Sequence, residues 1–207
     1  TRKMPGNGVK TDISLGAGSY GMFQGEFTNR VRKGGFYSVL SGQYGRSDNH
    51  RPHMGFEQYG GYLKLGYDFS PHWTAYADVD VTHFNSSYPG STHEPLSGAR
   101  QWITRGVATA VVENHYGNTS GAVSVYHNFG RHKINDGYAA GEEPQDKLFR
   151  SDDALTGFSA YQSATFFAGN RVTVGVDYQH IYGKAWNRVI ATGEDLDPMA
   201  DAHENEI

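Results

Sequence analysis

The chain has 207 residues, a formal net charge of -4 at pH 7, and 37% hydrophobic and 14% aromatic residues. The length fits one domain, and the negative charge gives no basic surface for nucleic acid, so no nucleic-acid partner is expected. The mean hydropathy of -0.62 leaves no run near the roughly 18 apolar residues of a spanning helix. A membrane β-barrel stays compatible with it, because half of each strand faces water.

The absence of cysteine also limits the chemistry that the chain can perform. It excludes disulfides and thiolate metal sites, and it fits a compartment in which stray thiols would oxidise.

The first part of the chain predicts three strands. Apolar residues recur at every second position over residues 9–15 and 23–31, which indicates β structure. Residues 36–46 predict a third strand with less clear faces, because Val39 and Leu40 fall on opposite sides. Residues 16–21 (GAGSYG) match the G-x-G-x-x-G spacing of dinucleotide-binding loops. A strand pattern follows rather than a helix, so a tight hairpin turn is predicted instead.

The clearest pattern in the chain is a long hairpin over residues 56–85, FEQYGGYLKLGYDFS-PH-WTAYADVDVTHFN. Each arm alternates with period 2 around a very short turn. One face carries Leu63, Leu65 and Val79, and the other carries charged residues. An apolar face opposite a charged face is typical of a transmembrane barrel wall, which must be apolar outside and can be polar inside.

Further strands are predicted over residues 101–114, 120–130, 154–168 and 171–182, which gives about nine in all. Short turns alternate with long loops, the longest being residues 86–100 and 131–153. Outer-membrane barrels have this rhythm because their turns lie on one side of the membrane and their loops on the other. The predicted fold is therefore all-β: antiparallel up-and-down strands that form a partial transmembrane β-barrel. A soluble β-sandwich binding module is the alternative.

The charged face supplies the candidate ligand-binding residues, because charged side chains at every second position would line a hydrated lumen. They are Lys64, Asp68, Asp78, Asp80, Arg105 and Glu113. Asp78 and Asp80 share one face and could also act as an acid-base pair. No nucleophile motif accompanies them, so the chain is predicted not to be an enzyme. A barrel enzyme remains the less favoured hypothesis.

Three histidines and one methionine in two predicted loops are the candidate metal ligands, since imidazole and thioether groups bind transition metals. They are His50, His53 and Met54 in one loop, and His93, beside Glu94, in the next. The acidic residues of loop 131–153 could hold Ca²⁺: Asp136, Glu142, Glu143, Asp146, Asp152 and Asp153. No metal-binding spacing is present, so solvated loop residues are the favoured interpretation and no cofactor is predicted.

Residues 16–50, GAGSYGMFQGEFTNRVRKGGFYSVLSGQYGRSDNH, resemble the first barrel strands of TonB-dependent outer-membrane receptors. In that family a plug domain ends in a strand of the INIITRK type before the barrel begins. The resemblance implies that Thr1-Arg2-Lys3 is the last trace of a plug. Residues 1–8 would then be the trailing end of the plug or a linker, and residues 9–207 a barrel segment.

The resemblance also implies a function and partners. These receptors import a scarce, large nutrient such as a siderophore, cobalamin, a metal chelate or a glycan across the bacterial outer membrane. The expected partners are the nutrient ligand, membrane lipid, an inner-membrane TonB complex acting through the plug, and possibly a surface lipoprotein. About nine strands are fewer than the roughly 22 of a plugged transporter, so a fragment of a longer protein is expected.

Overall fold

The computed structural model describes residues 4–207. Thr1-Arg2-Lys3, interpreted above as the trace of a plug, lie outside the described residues. No helix in residues 4–207 is long and apolar enough to cross a membrane. The strands, in chain order, are β1 (Gly8–Ala17), β2 (Phe23–Lys33), β3 (Phe36–Ser47), β4 (Phe56–Asp68), β5 (Trp73–Ser87), β6 (Leu96–Ser97), β7 (Arg100–His115), β8 (Thr119–Asn135), β9 (Tyr138–Ala139), β10 (Lys147–Ala164), β11 (Val172–Val189) and β12 (Ala200–Glu206).

The ten longer strands form one antiparallel sheet in the order β1-β2-β3-β4-β5-β7-β8-β10-β11-β12. Each strand pairs with its sequence neighbour, and the sheet is open, with β1 and β12 at its edges. The predicted all-β, up-and-down arrangement is confirmed. A sandwich would need two large sheets packed face to face. The second sheet within residues 4–207 holds only β6 and β9, each of two residues.

The main sheet has ten strands where about nine were predicted, and the additional strand is β12. Its sequence, ADAHENE, has no apolar alternation, so its periodicity could not indicate a strand. It pairs with β11 from Ala185↔Ala200 to Gln179↔Glu206. Main-chain hydrogen bonds to an existing strand edge need no apolar side chains, which explains why the sequence pattern missed it.

Strand ends also differ from the prediction. The predicted loop 131–153 shrinks to residues 136–146, because β8 continues to Asn135 and β10 begins at Lys147. Residues 165–168 were predicted as strand but form part of a turn. There the Asn170 Oδ1 atom accepts hydrogen bonds from the backbone N–H groups of Phe166 (3.1 Å) and Phe167 (3.0 Å).

The connections alternate as predicted. Residues 34–35, 69–72, 116–118 and 165–171 lie at one end of the sheet, which we call the turn end. Residues 18–22, 48–55, 88–99, 136–146 and 190–199 lie at the other, which we call the loop end. The turn predicted within residues 16–21 is confirmed, since Tyr20 (φ 58°) and Gly21 (φ 64°) adopt left-handed conformations there.

The sheet has two chemically distinct faces, which we call the apolar face and the polar face. Large apolar side chains on the apolar face are exposed, among them Leu65 at 46% and Val125 at 53%. On the polar face Tyr37 and Val39 are only 2% and 4% exposed. The ambiguity in β3 is thereby settled: Val39 belongs to the polar face and Leu40 to the apolar one.

Candidate functional site

The centre of the polar face holds an ion pair between β4 and β5. Lys64 and Asp78 are register partners, and Lys64 Nζ lies 3.8 Å from Asp78 Oδ2, with side chains 17% and 19% exposed. The same ammonium group lies 3.5 Å from the centroid of the Tyr76 ring. The ring and the carboxylate together hold the cation in a half-buried position.

A second ion pair lies on the polar face near the turn end. Arg32 Nη2 donates to Asp68 Oδ2 at 2.8 Å, and Thr74 Oγ1 donates to Asp68 Oδ1 at 2.8 Å. Glu113 lies on the neighbouring strand as the register partner of Thr74. Asp68 and Glu113 therefore lie in one register row of the polar face, apart from the Lys64–Asp78 pair.

A third charged group lies on the polar face toward the loop end, on strands β7, β8 and β10. Arg105 Nη2 donates to Asp153 Oδ1 at 2.8 Å. His132 lies beside both, with Nδ1 3.7 Å from Asp153 Oδ2 and 3.0 Å from the Ser151 hydroxyl. The Arg105 side chain is 55% exposed, so the pair contributes little to stability and stays accessible to a ligand.

Asp80 is the predicted residue that the structure places most centrally. It lines one recess with Glu26, Gln43 and Tyr62, and it lines a second recess that contains Arg105 and Asp153. Within residues 4–207, no ion pair or side-chain hydrogen bond engages the Asp80 carboxylate. The Asp80 carboxylate therefore lies between two recesses without a partner among the described residues.

The predicted metal ligands do not form one cluster in the structure. His50, His53 and His93 are all exposed in loop-end connections, and Met54 is half-buried. In the described part of the chain, no three His, Asp or Glu side chains come together in a group that could hold a metal ion.

Three of the acidic residues proposed for Ca²⁺ make other contacts instead. Asp136 Oδ1 accepts from the Tyr88 hydroxyl at 3.4 Å, and the Glu142 carboxylate accepts from the Ala139 N–H at 3.0 Å. Asp153 pairs with Arg105 on the polar face. The pKa of Tyr88 is raised by its burial and by the Asp136 charge, so its hydroxyl remains a donor.

Several polar-face residues were missed by the sequence analysis. Arg32 and Tyr76 alternate in step with the predicted charged residues, so the period of the strand could have found them. Asp153, named only as a Ca²⁺ candidate, and His132 could not be assigned to the polar face in that way, because both were placed in a predicted loop. The structure extends β8 and β10 through both positions.

The geometry defines a class of protein: an open, up-and-down antiparallel wall with an exposed apolar face and a charged face. No protein family and no curated protein sequence matches the chain.

Solved structures do match it. The ferripyoverdine receptor of the outer membrane of Pseudomonas aeruginosa, bound to ferripyoverdine, is similar over 99% of this chain with a TM-score of 0.69 and 14% identity. The ferric citrate transporter FecA in its unliganded form is similar over 99% of this chain with a TM-score of 0.62 and 17% identity.

These matches confirm, at the level of fold, the resemblance to TonB-dependent outer-membrane receptors. The chain covers 34% of each of the two solved chains, about a third of their length. Both neighbours are named as a receptor or a transporter rather than as an enzyme.

Proposed function

We propose that this chain is part of the β-barrel wall of a TonB-dependent receptor in a bacterial outer membrane. The receptor takes up a scarce, large nutrient: a siderophore, cobalamin, a metal chelate or a glycan. An inner-membrane TonB complex acts through a plug, of which residues 1–8 are the trailing end or linker. A surface lipoprotein is a further partner in this proposal.

The observation that carries the proposal is the position of the three tryptophans on the apolar face. Trp73 lies at the turn end, and Trp102 and Trp186 lie toward the loop end. Trp102 is the register partner of Asn85 in β5, twelve residues along the strand from Trp73.

That separation is roughly 40 Å at about 3.3 Å per residue, or ~30 Å across a membrane for strands tilted by ~40°. It matches the hydrocarbon thickness of a bilayer, ~30 Å. Tryptophan is enriched at both interfaces of membrane proteins, so the apolar face suits contact with lipid.

The opposite face then suits a ligand. We propose that Lys64, Asp68, Asp78, Asp80, Arg105 and Glu113 face the lumen. Among them Asp80 and Arg105 are the residues most available for contact, because they line one recess and neither is enclosed. Lys64 and Asp78 neutralise each other and hold the wall between β4 and β5.

Cysteine labelling tests the orientation of the wall. These 207 residues contain no cysteine, so Ala108→Cys on the apolar face and Thr109→Cys on the polar face each add one thiol at adjacent positions of β7, and the parent protein without either change gives the background labelling. In cells that produce the full-length protein, we expect a membrane-impermeant maleimide to label residue 109 and not residue 108. Equal labelling of both would contradict a membrane wall.

Ligand binding is tested on the same full-length protein with a screen of siderophores, cobalamin, haem and metal chelates. Asp80→Asn and Arg105→Gln are expected to weaken binding of the selected compound about tenfold or more, since a charged hydrogen bond contributes about 1.5–3 kcal/mol. Lys10→Gln, an exposed change on β1, is the matched control. Affinities that do not change in either lumen variant would exclude these two residues from the site.

A further inference from the structure

The apolar face ends, near the loop end, in one register row, which carries charged, amide and tryptophan side chains on seven neighbouring strands. Its members, one from each of β3, β4, β5, β7, β8, β10 and β11, are Arg46, Glu57, Asn85, Trp102, Lys133, Arg150 and Trp186. At one end of the row a cation faces a carboxylate, Arg46 opposite Glu57. Toward the other end two cations, Lys133 and Arg150, are direct register partners with a tryptophan on either side.

Two like charges in direct register are destabilising in a sheet. The row one step closer to the centre of the sheet avoids the problem by alternating its charges, with Arg131 beside Asp152 and Lys184 beside Asp152 and Asp201. The Lys133–Arg150 pair is thus an exception on a surface that otherwise balances neighbouring charges. An anion between the two cations would remove this repulsion.

No carboxylate of the described residues supplies that anion. No ion pair within residues 4–207 includes Lys133 or Arg150. The Arg150 Nε atom is enclosed and has no hydrogen-bond partner there. Asp195 is within electrostatic reach of Arg150, but Arg188 holds its two oxygens at 2.6 and 2.7 Å.

The two tryptophans shape the site and indicate its depth. Lys133 Nζ lies 4.2 Å from the Trp102 ring centroid, and Arg100 flanks the same ring at 5.2 Å. Trp186 Nε1 donates to Asp195 at 2.8 Å, which fixes the indole beside Arg150. Indole rings at the edge of an apolar band lie at the headgroup level of a bilayer, so the two cations lie at that level as well.

We propose that Lys133 and Arg150, between Trp102 and Trp186, bind the phosphate group of an anionic lipid whose acyl chains lie along the apolar face. This inference rests on the proposed function, because it requires the apolar face to contact a bilayer. A phosphate monoester carries about -1.5 to -2 charges near neutral pH, which matches two cations. Basic residues near a membrane surface attract anionic headgroups.

Lipid selectivity tests the site. The full-length protein is reconstituted into phosphatidylcholine vesicles with spin-labelled phosphatidic acid or spin-labelled phosphatidylcholine, and the fraction of each label immobilised by the protein is measured. We expect phosphatidic acid to be immobilised preferentially. Lys133→Gln and Arg150→Gln are each expected to reduce that preference about fivefold. The preference should persist when the two residues are exchanged (Lys133→Arg with Arg150→Lys).

Lys10→Gln removes one charge from the polar face and is the matched control, with no expected effect on the selectivity. A heat-modifiable gel band shows that each variant is folded. Equal immobilisation of both lipids by the inserted protein would overturn the site. Equal immobilisation of both lipids, together with binding of inorganic phosphate that Lys133→Gln abolishes, would identify a free-phosphate site instead. A protein that does not insert and immobilises neither lipid would overturn the proposed function itself.

Discussion

The ring of Tyr37 lies against the α-carbon of Gly66 on the neighbouring strand, so close that a Cβ atom at residue 66 would overlap Tyr37 Cζ. The two residues are register partners of β3 and β4, and Tyr37 is 2% exposed. A residue with no side chain thus accommodates the largest buried ring of the polar face. This contact fixes the β3–β4 register, since a slip by one residue would place a side chain under the ring.

Gly66→Ala is therefore expected to destabilise the full-length protein by about 1–3 kcal/mol, the usual cost of overpacking. Urea unfolding in detergent micelles measures the effect. Gly45→Ala is the matched control, because it lies in β3 with nothing within 4 Å of its Cβ position. Equal stability of the two variants would contradict the close contact.

Lys64 and Asp78 are expected to be energetically coupled. Both side chains are less than a fifth exposed, so removing one leaves the other charge poorly solvated. A double-mutant cycle with Lys64→Met and Asp78→Asn should give a coupling of about 0.5–3 kcal/mol. The exposed pair Lys10–Asp12, with side chains 63% and 49% exposed, is the comparison. A coupling no larger than that of the exposed pair would refute a role in holding the wall.

The loop 190–199 should respond to acid through Asp195. Hydrogen bonds from Arg188 and Trp186 lower the pKa of Asp195 from 3.8 to about 2. Because the pKa is depressed in the folded state, the stabilisation is present above about pH 3.8 and is lost as the pH falls through about 2.

Carboxyl chemical shifts of ¹³C-labelled aspartate measure this titration in the full-length protein. Arg188→Met should return the pKa of Asp195 toward its ordinary value. Arg46→Met, which removes the arginine paired with Asp48 in another loop, should leave it unchanged. An ordinary pKa for Asp195 in the unaltered protein would show that the ion pair does not form.

The 207-residue chain produced alone should self-associate in buffer without detergent. Both edges of its main sheet, β1 and β12, are open, and unpaired edges are templates for pairing with another chain. Exposed apolar side chains such as Val9 (67%) and Ile13 (69%) lie next to one of those edges.

Sedimentation velocity with and without detergent measures this association. Ile13→Lys is expected to reduce it by placing a charge on the apolar face at the β1 edge. A monodisperse monomer in plain buffer would contradict the prediction.

Period-2 alternation was enough to predict most of the sheet. It identified the β4–β5 hairpin, the alternation of turns and loops, and the common face of Lys64, Asp78 and Asp80. These features depend on which face of each strand is apolar, and that alternation can be read directly from the sequence.

The features that it missed are those in which the two faces of a strand no longer differ. β12 and the loop-end parts of β8 and β10 carry polar residues on both faces, so no periodicity marks them. Their strand structure comes from main-chain pairing with a neighbour, and that depends on the whole sheet. The partners Asp153 and His132 were missed for the same reason.

The small sheet of β6 and β9 joins two loops that are far apart in sequence. Leu96 pairs with Ala139 and Ser97 with Tyr138, and the Arg51 side chain ties a third loop to them through the Gly90 carbonyl at 3.0 Å. These three connections are therefore tied to one another at the loop end, and displacing any one of them breaks contacts with another.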